Sequence, residues 1–366
     1  MKYSLYLGKI SGIKISVHWT FLILIFWIVF TNMRSGRGVN EIIWSVVFVL
    51  AIFVCVILHE LGHALTAQRF NIKTRGISIL PIGGVAQLES IPEKPKEELL
   101  VALAGPAVNV LIAGILYPFV TFAQDIGALN TLSSIGPKNF FVALMSINLW
   151  LALFNLIPAF PMDGGRVLRA VLGFRLGHAR ATAIAASIGQ VLAMAFVFFG
   201  FFYNPFLIFI GFFIFLGAQS EAVYARSKFL LKGFTVNDVL MHEIPVIESR
   251  SNIKDAAARL LDSQNRYFVV NDNGKTVGTI SRDQIIQALG ERGENVSVND
   301  VKDDALAVLS PDMPLEEAWQ LLQQDRKPLM LVMSDGKLVG VVDQENMSEF
   351  ILIQTAAKNK SGKLPL

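Results

Sequence analysis

Apolar stretches long enough to cross the ~30 Å hydrocarbon core of a bilayer recur between residues 17 and 220 of this chain. Charged residues make up only 17% of the sequence, against about a quarter in soluble proteins, so a wholly soluble protein is excluded. The last two stretches are separated only by residues 203–205, and one helix through both would be about twice as long as a crossing needs. The sequence therefore predicts six spans: Val17–Thr31, Ile42–Gln68, Leu99–Ala123, Asn139–Ile157, Ala181–Phe202 and Phe206–Ser220.

The distribution of charge divides the chain into two parts. Residues 1–232 carry 18 Lys and Arg against 9 Asp and Glu, whereas residues 233–366 carry 14 against 20. With the N-terminus inside, the inner segments of the membrane part hold 15 basic residues and the outer segments hold 3. Because basic residues favour the cytoplasmic side, both the N-terminus and the acidic C-terminal part are predicted to be cytoplasmic.

Two histidines and a glutamate lie inside the second predicted span, in the sequence HELGH at residues 59–63. On a helix, His59 and His63 are one turn apart on the same face, so both imidazoles can bind one metal ion. Glu60 lies beside them and can accept a proton from a water molecule. Ionisable groups at membrane depth are costly, which favours a metal site over a structural polar cluster.

A catalytic zinc site needs a third protein ligand, and Asp163, at the end of the fourth predicted span, is the best candidate. The second and fourth spans run in the same direction, so His59 and Asp163 are both predicted near the cytoplasmic face. Two alternatives stay open. The sequence PMDGG at residues 161–165 is also typical of a turn at a helix end. The second alternative is Cys55 as the third ligand, because it lies one turn before His59. It is the single cysteine of the chain, so an intramolecular disulfide is excluded.

At these residues the chain resembles the site-2 protease family of intramembrane zinc metalloproteases, whose two signatures are HELGH and NLIPAFPMDGG, here residues 155–165. The resemblance implies one zinc ion per chain with Glu60 as the general base. Residues 105–109 (GPAVN) look like the family's GPxxN element, and residues 82–86 (IGGVA) look like its glycine-bearing β-hairpin loop. The zinc ligands that it implies are His59, His63 and Asp163, and the substrate contacts are Asn155, Asn109, Gly83 and Gly84.

The acidic part contains an internal repeat with a constant offset of 62 residues. VNDV at residues 236–239 recurs at 298–301, and GK at 274–275 recurs at 336–337. Each copy predicts a helix, a strand, a glycine turn, a second strand and a further helix. The unit resembles the CBS domain, which in tandem forms a ligand-sensing module that often binds adenine nucleotides. A subset of the site-2 protease family carries such a pair at its C-terminus.

The nucleotide expectation depends on the end of the second strand in each repeat. Adenosine-phosphate-binding CBS domains usually have Ser or Thr there and Asp three residues later; the first repeat has Ser281 but Gln284. The second repeat has Asp343, which is unfavourable near a phosphate. Ser281 is therefore the candidate nucleotide contact, and a purely structural or dimerising pair stays open as the alternative.

The predicted architecture is a multi-span α-helical membrane protein, with six transmembrane helices and a β-hairpin loop, followed by an α/β tandem CBS module. The boundaries are 1–226 for the membrane metalloprotease domain, 227–234 for a linker, 235–292 and 297–356 for the CBS domains, and 357–366 for a disordered tail. The expected location is a bacterial or archaeal cell membrane. The expected partners are a single-span membrane-tethered protein substrate, the lipid bilayer and a second copy through the CBS pair, with no nucleic acid.

The function that these features predict is cleavage of the membrane-tethered substrate near the cytoplasmic face, in regulated intramembrane proteolysis modulated by the CBS pair. Two other classes stay open. In a CBS-regulated metal transporter, the His and Asp cluster would be a transport site, although ion passage does not require the glutamate of HExxH. In a proteolytically inactive membrane scaffold, the intact set of ligands and base would be unexplained.

Overall fold

The computed structural model describes residues 4–81, 83–88, 92, 94–122, 135–263, 265–325 and 329–360. The chain divides into two compact units, of which the first ends at Ala225 and the second begins at Arg226. The predicted boundaries of the membrane domain, the linker and the two CBS domains stay predictions.

The first unit is dominated by helices. Among the described helices, four are long and apolar enough to cross a membrane, namely Val39–Gln68, Pro95–Val120, His178–Phe202 and Phe206–Leu231, whereas Thr20–Arg34 and Phe140–Asn155 are apolar but shorter. The count of six spans therefore stays a prediction. The helices are α1 (Thr20–Arg34), α2 (Val39–Gln68), α3 (Pro95–Phe122), α4 (Phe140–Asn155), α5 (Asp163–Leu176), α6 (His178–Phe202) and α7 (Phe206–Leu231).

Two predicted spans differ from the observed helices. The first was expected to start at Val17, but residues 13–18 form a strand and α1 begins at Thr20. The fourth was expected at Asn139–Ile157, with Asp163 just beyond its end and no further helix there; α4 ends at Asn155, and Asp163 is the first residue of α5. The reason is that Pro158 and Pro161 lie between α4 and α5, and proline does not continue a helix.

A four-stranded sheet packs beside α2. Its strands are β1 (Ser4–Ile10), β2 (Ile13–His18), β3 (Thr74–Leu80) and β4 (Gly83–Leu88), in that spatial order. The outer pairs are antiparallel, and β2 and β3 are parallel. Alternate residues of the inner strands are buried with two residues of α2 next to the HELGH histidines, in the cluster Ile13, Ile15, Ile77, Ile79, Leu61 and Ala64. The sheet therefore lies against the part of α2 that carries the predicted metal site.

The second unit shows the predicted repeat as two three-stranded sheets of the same topology. In each sheet the first pair is parallel and the second antiparallel. The first copy contains β5 (Val246–Glu248), α8 (Ile253–Ser263), β6 (Tyr267–Asp272), β7 (Lys275–Ser281) and α9 (Arg282–Arg292). The second contains β8 (Val308–Leu309), α10 (Leu315–Asp325), β9 (Leu329–Ser334), β10 (Lys337–Asp343) and α11 (Gln344–Lys360).

The two copies share their turns and part of their core. Each hairpin turns through a left-handed pair, Asn273-Gly274 in the first copy and Asp335-Gly336 in the second, as a two-residue type I′ hairpin requires. Val269 of the first sheet is buried with Leu331 and Val341 of the second, so each copy completes the apolar core of the other. Residues 357–360 of the predicted tail belong to α11, and residues 361–366 lie outside the described residues.

Candidate metal centre

His59, His63 and Asp163 converge at one buried point between α2 and the start of α5. The two Nε2 atoms are 3.1 Å apart, and Asp163 Oδ2 lies 3.1 Å from His63 Nε2 and 3.3 Å from His59 Nε2. The three residues are 5–7% exposed. Among the described residues they form the cluster of His, Cys, Asp and Glu side chains that could hold a metal ion.

The other nitrogen of each ring is occupied, and this fixes which nitrogen faces the centre. His63 Nδ1 lies 2.7 Å from the backbone carbonyl of Val101, which can only accept, so Nδ1 carries the proton and the Nε2 lone pair faces the centre. His59 Nδ1 lies 3.1 Å from Asn109 Oδ1 and donates to it. Such contacts behind a ligand orient the ring and raise its basicity.

The converging donor set fits zinc. Two imidazole lone pairs and a carboxylate oxygen face one another, an arrangement that a cation between them stabilises. In a tetrahedral site with ligand distances of ~2.0–2.1 Å, neighbouring ligand atoms lie ~3.3 Å apart, close to the three separations observed here. The histidines, carboxylate and adjacent Glu60 are also the set found in catalytic zinc sites.

Glycines allow the neighbouring elements to approach the centre. A Cβ at Gly105 of α3 would lie 2.7 Å from His59 Nε2 and still closer to His63 Nε2, so a side chain there would occupy the metal position. A Cβ at Gly84 of β4 would lie 2.7 Å from Glu60 Cγ. These two contacts explain why the GPAVN and IGGVA segments contain glycine at these points.

The first turn of α5 fits tightly against the segment that precedes it. A Cβ at Gly165 would lie 2.6 Å from the backbone nitrogen of Phe160, and one at Gly164 would overlap the backbone of residues 156–157. The two glycines therefore allow the chain to turn from α4 into α5 within eight residues. This turn places Asp163, the first residue of α5, opposite the histidines of α2.

The structure places the other predicted site residues as follows. Gly84 lies beside Glu60, and Gly83 begins β4 with φ of 138°. Asn109 was predicted to contact substrate, but it is 1% exposed and contacts His59 from behind. Asn155 ends α4 and is half-buried, and its substrate contact stays a prediction.

Two further candidates have partners away from the centre. The alternative ligand Cys55 accepts a hydrogen bond from Asn148 Nδ2 at 3.4 Å and is not part of the metal-ligand cluster. The Ser281 hydroxyl accepts from the Gln284 backbone amide at 3.2 Å and caps α9. Nucleotide contact at Ser281 stays a prediction, and this hydroxyl already has a structural role.

The structure also adds a residue that the sequence analysis missed. Val101 orients His63 through its backbone carbonyl. Every residue has a backbone carbonyl, so a contact made by this group cannot be recognised from the amino-acid sequence.

Comparison with known proteins agrees with a metalloprotease followed by a CBS pair. Residues 47–196 match the model for Peptidase family M50, and residues 236–291 and 298–353 each match the CBS domain model. A zinc metalloprotease of Methanocaldococcus jannaschii is 33% identical over 348 residues, covering 95% of this chain and 96% of its own length. A relative from Mycobacterium tuberculosis is 28% identical over 385 residues, covering 98% and 95%.

A solved structure, the site-2 protease from Methanocaldococcus jannaschii, is 38% identical and covers 60% of this chain and 95% of its own, with a TM-score of 0.45. The apolar helices and the buried His–His–Asp centre, together with the match to zinc metalloproteases, define an integral membrane zinc metalloprotease. The 33% identical zinc metalloprotease of Methanocaldococcus jannaschii matches 95% of this chain. The chain therefore belongs to Peptidase family M50, the site-2 protease family, and carries a tandem CBS pair.

Proposed function

We propose that the protein cuts a single-span, membrane-tethered protein within the bilayer near its cytoplasmic face, in regulated intramembrane proteolysis. The observation that carries this proposal is the position of the centre. It lies on α2, a helix of 30 residues that is long and apolar enough to span a membrane. His59 and His63 lie near the C-terminal end of that helix, in its last three turns, so the reaction would take place close to one membrane face.

The residues of the centre divide the chemistry of peptide hydrolysis among them. His59, His63 and Asp163 would hold the zinc ion, which when bound polarises a carbonyl and acidifies a water molecule. Glu60, beside the histidines, accepts the proton of the attacking water and delivers it to the leaving amine. Val101 and Asn109 hold the two imidazoles in the tautomer that leaves Nε2 free for the metal.

The strand β4 is the proposed binding site for the substrate backbone. One edge of β4 pairs with β3, and in the sheet order of the described residues β4 is outermost. Gly84 brings this strand against Glu60. A substrate segment that unwinds from its helix can add to the outer edge as a further strand. Unwinding is required because helical amides are hydrogen-bonded within the helix and shield the scissile carbonyl.

The test is cleavage of a panel of single-span substrates by the full-length, zinc-loaded protein in liposomes, with products mapped by mass spectrometry. We expect a cut inside the span near its cytoplasmic end, and faster cutting of spans with helix-destabilising residues there. The matched control is Glu41→Gln, an exposed glutamate in the first turn of the same helix, which should cut normally. A zinc-loaded protein that cuts none of these substrates but moves metal ions across the liposome would favour the transporter instead.

We further propose that both termini are cytoplasmic and that the CBS pair regulates cleavage. Labelling of a cysteine added at the C-terminus, from each side of the membrane, tests the topology; labelling from outside would refute it. For regulation, the cleavage rate is measured against adenine nucleotide concentration in the full-length protein and in a chain ending at Lys232. We expect a response in the full-length protein alone. No rate change and no binding up to millimolar nucleotide would leave dimerisation as the proposed role of the pair.

A further inference from the structure

A second buried polar cluster lies next to the metal centre. The guanidinium of Arg169 on α5 is 1% exposed. Its Nε donates to Glu98 Oε1 of α3 at 2.6 Å, and its Nη1 donates to Glu221 Oε2 of α7 at 2.9 Å. The Phe160 ring lies under the guanidinium, with Cζ 5.0 Å from the ring centroid. One arginine therefore connects three helices and the segment that leads into α5.

The helices that Arg169 connects are those that build the metal centre. Helix α3 carries Glu98 and also Val101 and Asn109, the partners of the two histidines. Helix α5 carries Arg169 six residues after Asp163, the third ligand. The Arg169–Glu98 ion pair therefore joins the element that orients the histidines to the element that supplies the carboxylate.

Helix α7 also packs against the segment that leads into α5. A Cβ at Gly217 would lie 2.9 Å from the backbone nitrogen of Pro161, and Ala218 is buried with Phe160. Glu221 follows Gly217 by one helical turn and reaches Arg169. The backbone before Asp163 is therefore packed against α7 at Gly217, and the helix that begins at Asp163 is joined to α7 by the side-chain contact between Arg169 and Glu221.

We infer that Arg169 is a positioning residue for the metal: its contacts with Glu98 and Glu221 set the position of α5 so that Asp163 meets the two histidines. An arginine suits this role because its planar fork donates in two directions at once, whereas a lysine ammonium is a single point charge. A buried charge that loses one partner is strongly destabilised, so the three residues act as a unit. The inference rests on the zinc centre of the proposed function, but not on proteolysis.

The experiment measures zinc affinity of the full-length protein in detergent by competition with a chelator. Arg169→Lys keeps the charge and removes the fork, and we expect the zinc dissociation constant to rise about 10–100-fold, the usual effect of losing a group that supports a ligand. Glu221→Gln keeps the Arg169–Glu98 pair, and we expect a smaller rise. The control is Arg175→Lys, exposed in the last turn of the same helix, which should leave zinc affinity unchanged.

Two readouts separate positioning from a general role in stability. If Arg169 positions the ligand, the increase in melting temperature that zinc gives to the metal-free protein shrinks in Arg169→Lys, because ligand stabilisation follows affinity. We also expect kcat to fall with KM unchanged. Unchanged zinc affinity in a folded Arg169→Lys protein would overturn the inference. If that variant does not fold, unchanged affinity in Glu221→Gln would overturn it. A wild-type protein that binds zinc but cuts nothing would refute the proposed proteolysis alone.

Discussion

The two units of the chain bury different kinds of side chain. Among the described residues, the first unit buries eleven polar or charged side chains, including the metal centre and the Arg169 cluster, whereas the second buries only Ser227 and Ser249. The surfaces of the two units differ in the opposite way: large apolar side chains are exposed along most of the first unit and at few positions of the second. A unit surrounded by lipid can carry its chemistry inside, and a unit in water can use its interior for apolar packing.

The largest effect should come from removing a metal ligand. In Asp163→Ala, we expect loss of both bound zinc and cleavage, because two histidines alone do not make a catalytic zinc site. Elemental analysis of the purified protein and a cleavage assay give the two results. His18→Ala changes a histidine outside the cluster and should keep both. Unchanged zinc in Asp163→Ala would mean that the third ligand lies elsewhere, with Cys55 the next residue to test.

Removing the base should separate metal binding from chemistry. Glu60→Gln keeps the size of the side chain but cannot take the proton from water. We expect normal zinc content and a cleavage rate lower by ~10²–10⁴-fold, the usual contribution of general base catalysis. The measurement is kcat together with zinc content. A folded Glu60→Gln protein that cuts at nearly the wild-type rate would refute this role of Glu60.

A smaller change tests how closely α3 must approach the centre. In Gly105→Ala, the added methyl group would occupy space next to both Nε2 atoms, so we expect weaker zinc binding and slower cleavage. The matched control is Gly114→Ala on the same helix, where a Cβ meets nothing within 4 Å. Zinc titration of the two variants in parallel is the measurement. Equal affinities would show that the space between α2 and α3 adjusts more easily than the structure indicates.

The smallest effect concerns a charge in the second unit. Burial, followed by the charge of Glu345, raises the pKa of Asp343 above its usual value, and the charge of Asp343 in turn contributes to the raised pKa of Tyr267. Because the folded protein binds this proton more tightly than the unfolded chain, the ionised group reduces stability at neutral pH. That loss shrinks as the pH falls through the folded-state pKa and disappears below the unfolded-state pKa, near ~3.9.

Asp343→Asn should therefore stabilise β10 at pH 7, with no difference from the wild type below about pH 4. The carboxylate caps α11 by accepting from the Asn346 amide at 2.7 Å, and asparagine keeps such a cap. Hydrogen exchange of the β9 and β10 amides in the full-length protein measures the change. Asp335→Asn, exposed in the β9–β10 turn, is the control and should have no effect. Faster exchange in Asp343→Asn at pH 7 would contradict the prediction.

The sequence predicted the parts of the molecule that depend on regular spacing. The HELGH histidines are placed by one helical turn, and the CBS copies by the constant 62-residue offset, so both could be located without coordinates. The pairing of Asp163 with the histidines needed only the direction of the spans. The position of Asp163 could be predicted in this way even though α5, the helix that begins there, was not.

The sequence did not predict the features that depend on distant pairing. Arg169 was counted among the cytoplasmic basic residues because a lone arginine near a span normally lies at the membrane surface, yet it is buried with Glu98 and Glu221. Helix α5 was missed because it is short and carries Arg166, Arg169 and Arg175. Strand β2 was assigned in part to the first span, although the alternation of Ile13 and Ile15 with polar residues was a strand signal.

The order of the ligands along the chain has a consequence for synthesis of the enzyme. The histidines on α2 leave the ribosome about a hundred residues before Asp163, and Glu221 follows some sixty residues later still. Since chains are made from the N-terminus and early segments fold first, α2 and the sheet are inserted while the third ligand is still absent. The nascent protein therefore lacks a complete metal site until α5 has been made, and the proposed cleavage cannot begin before that point.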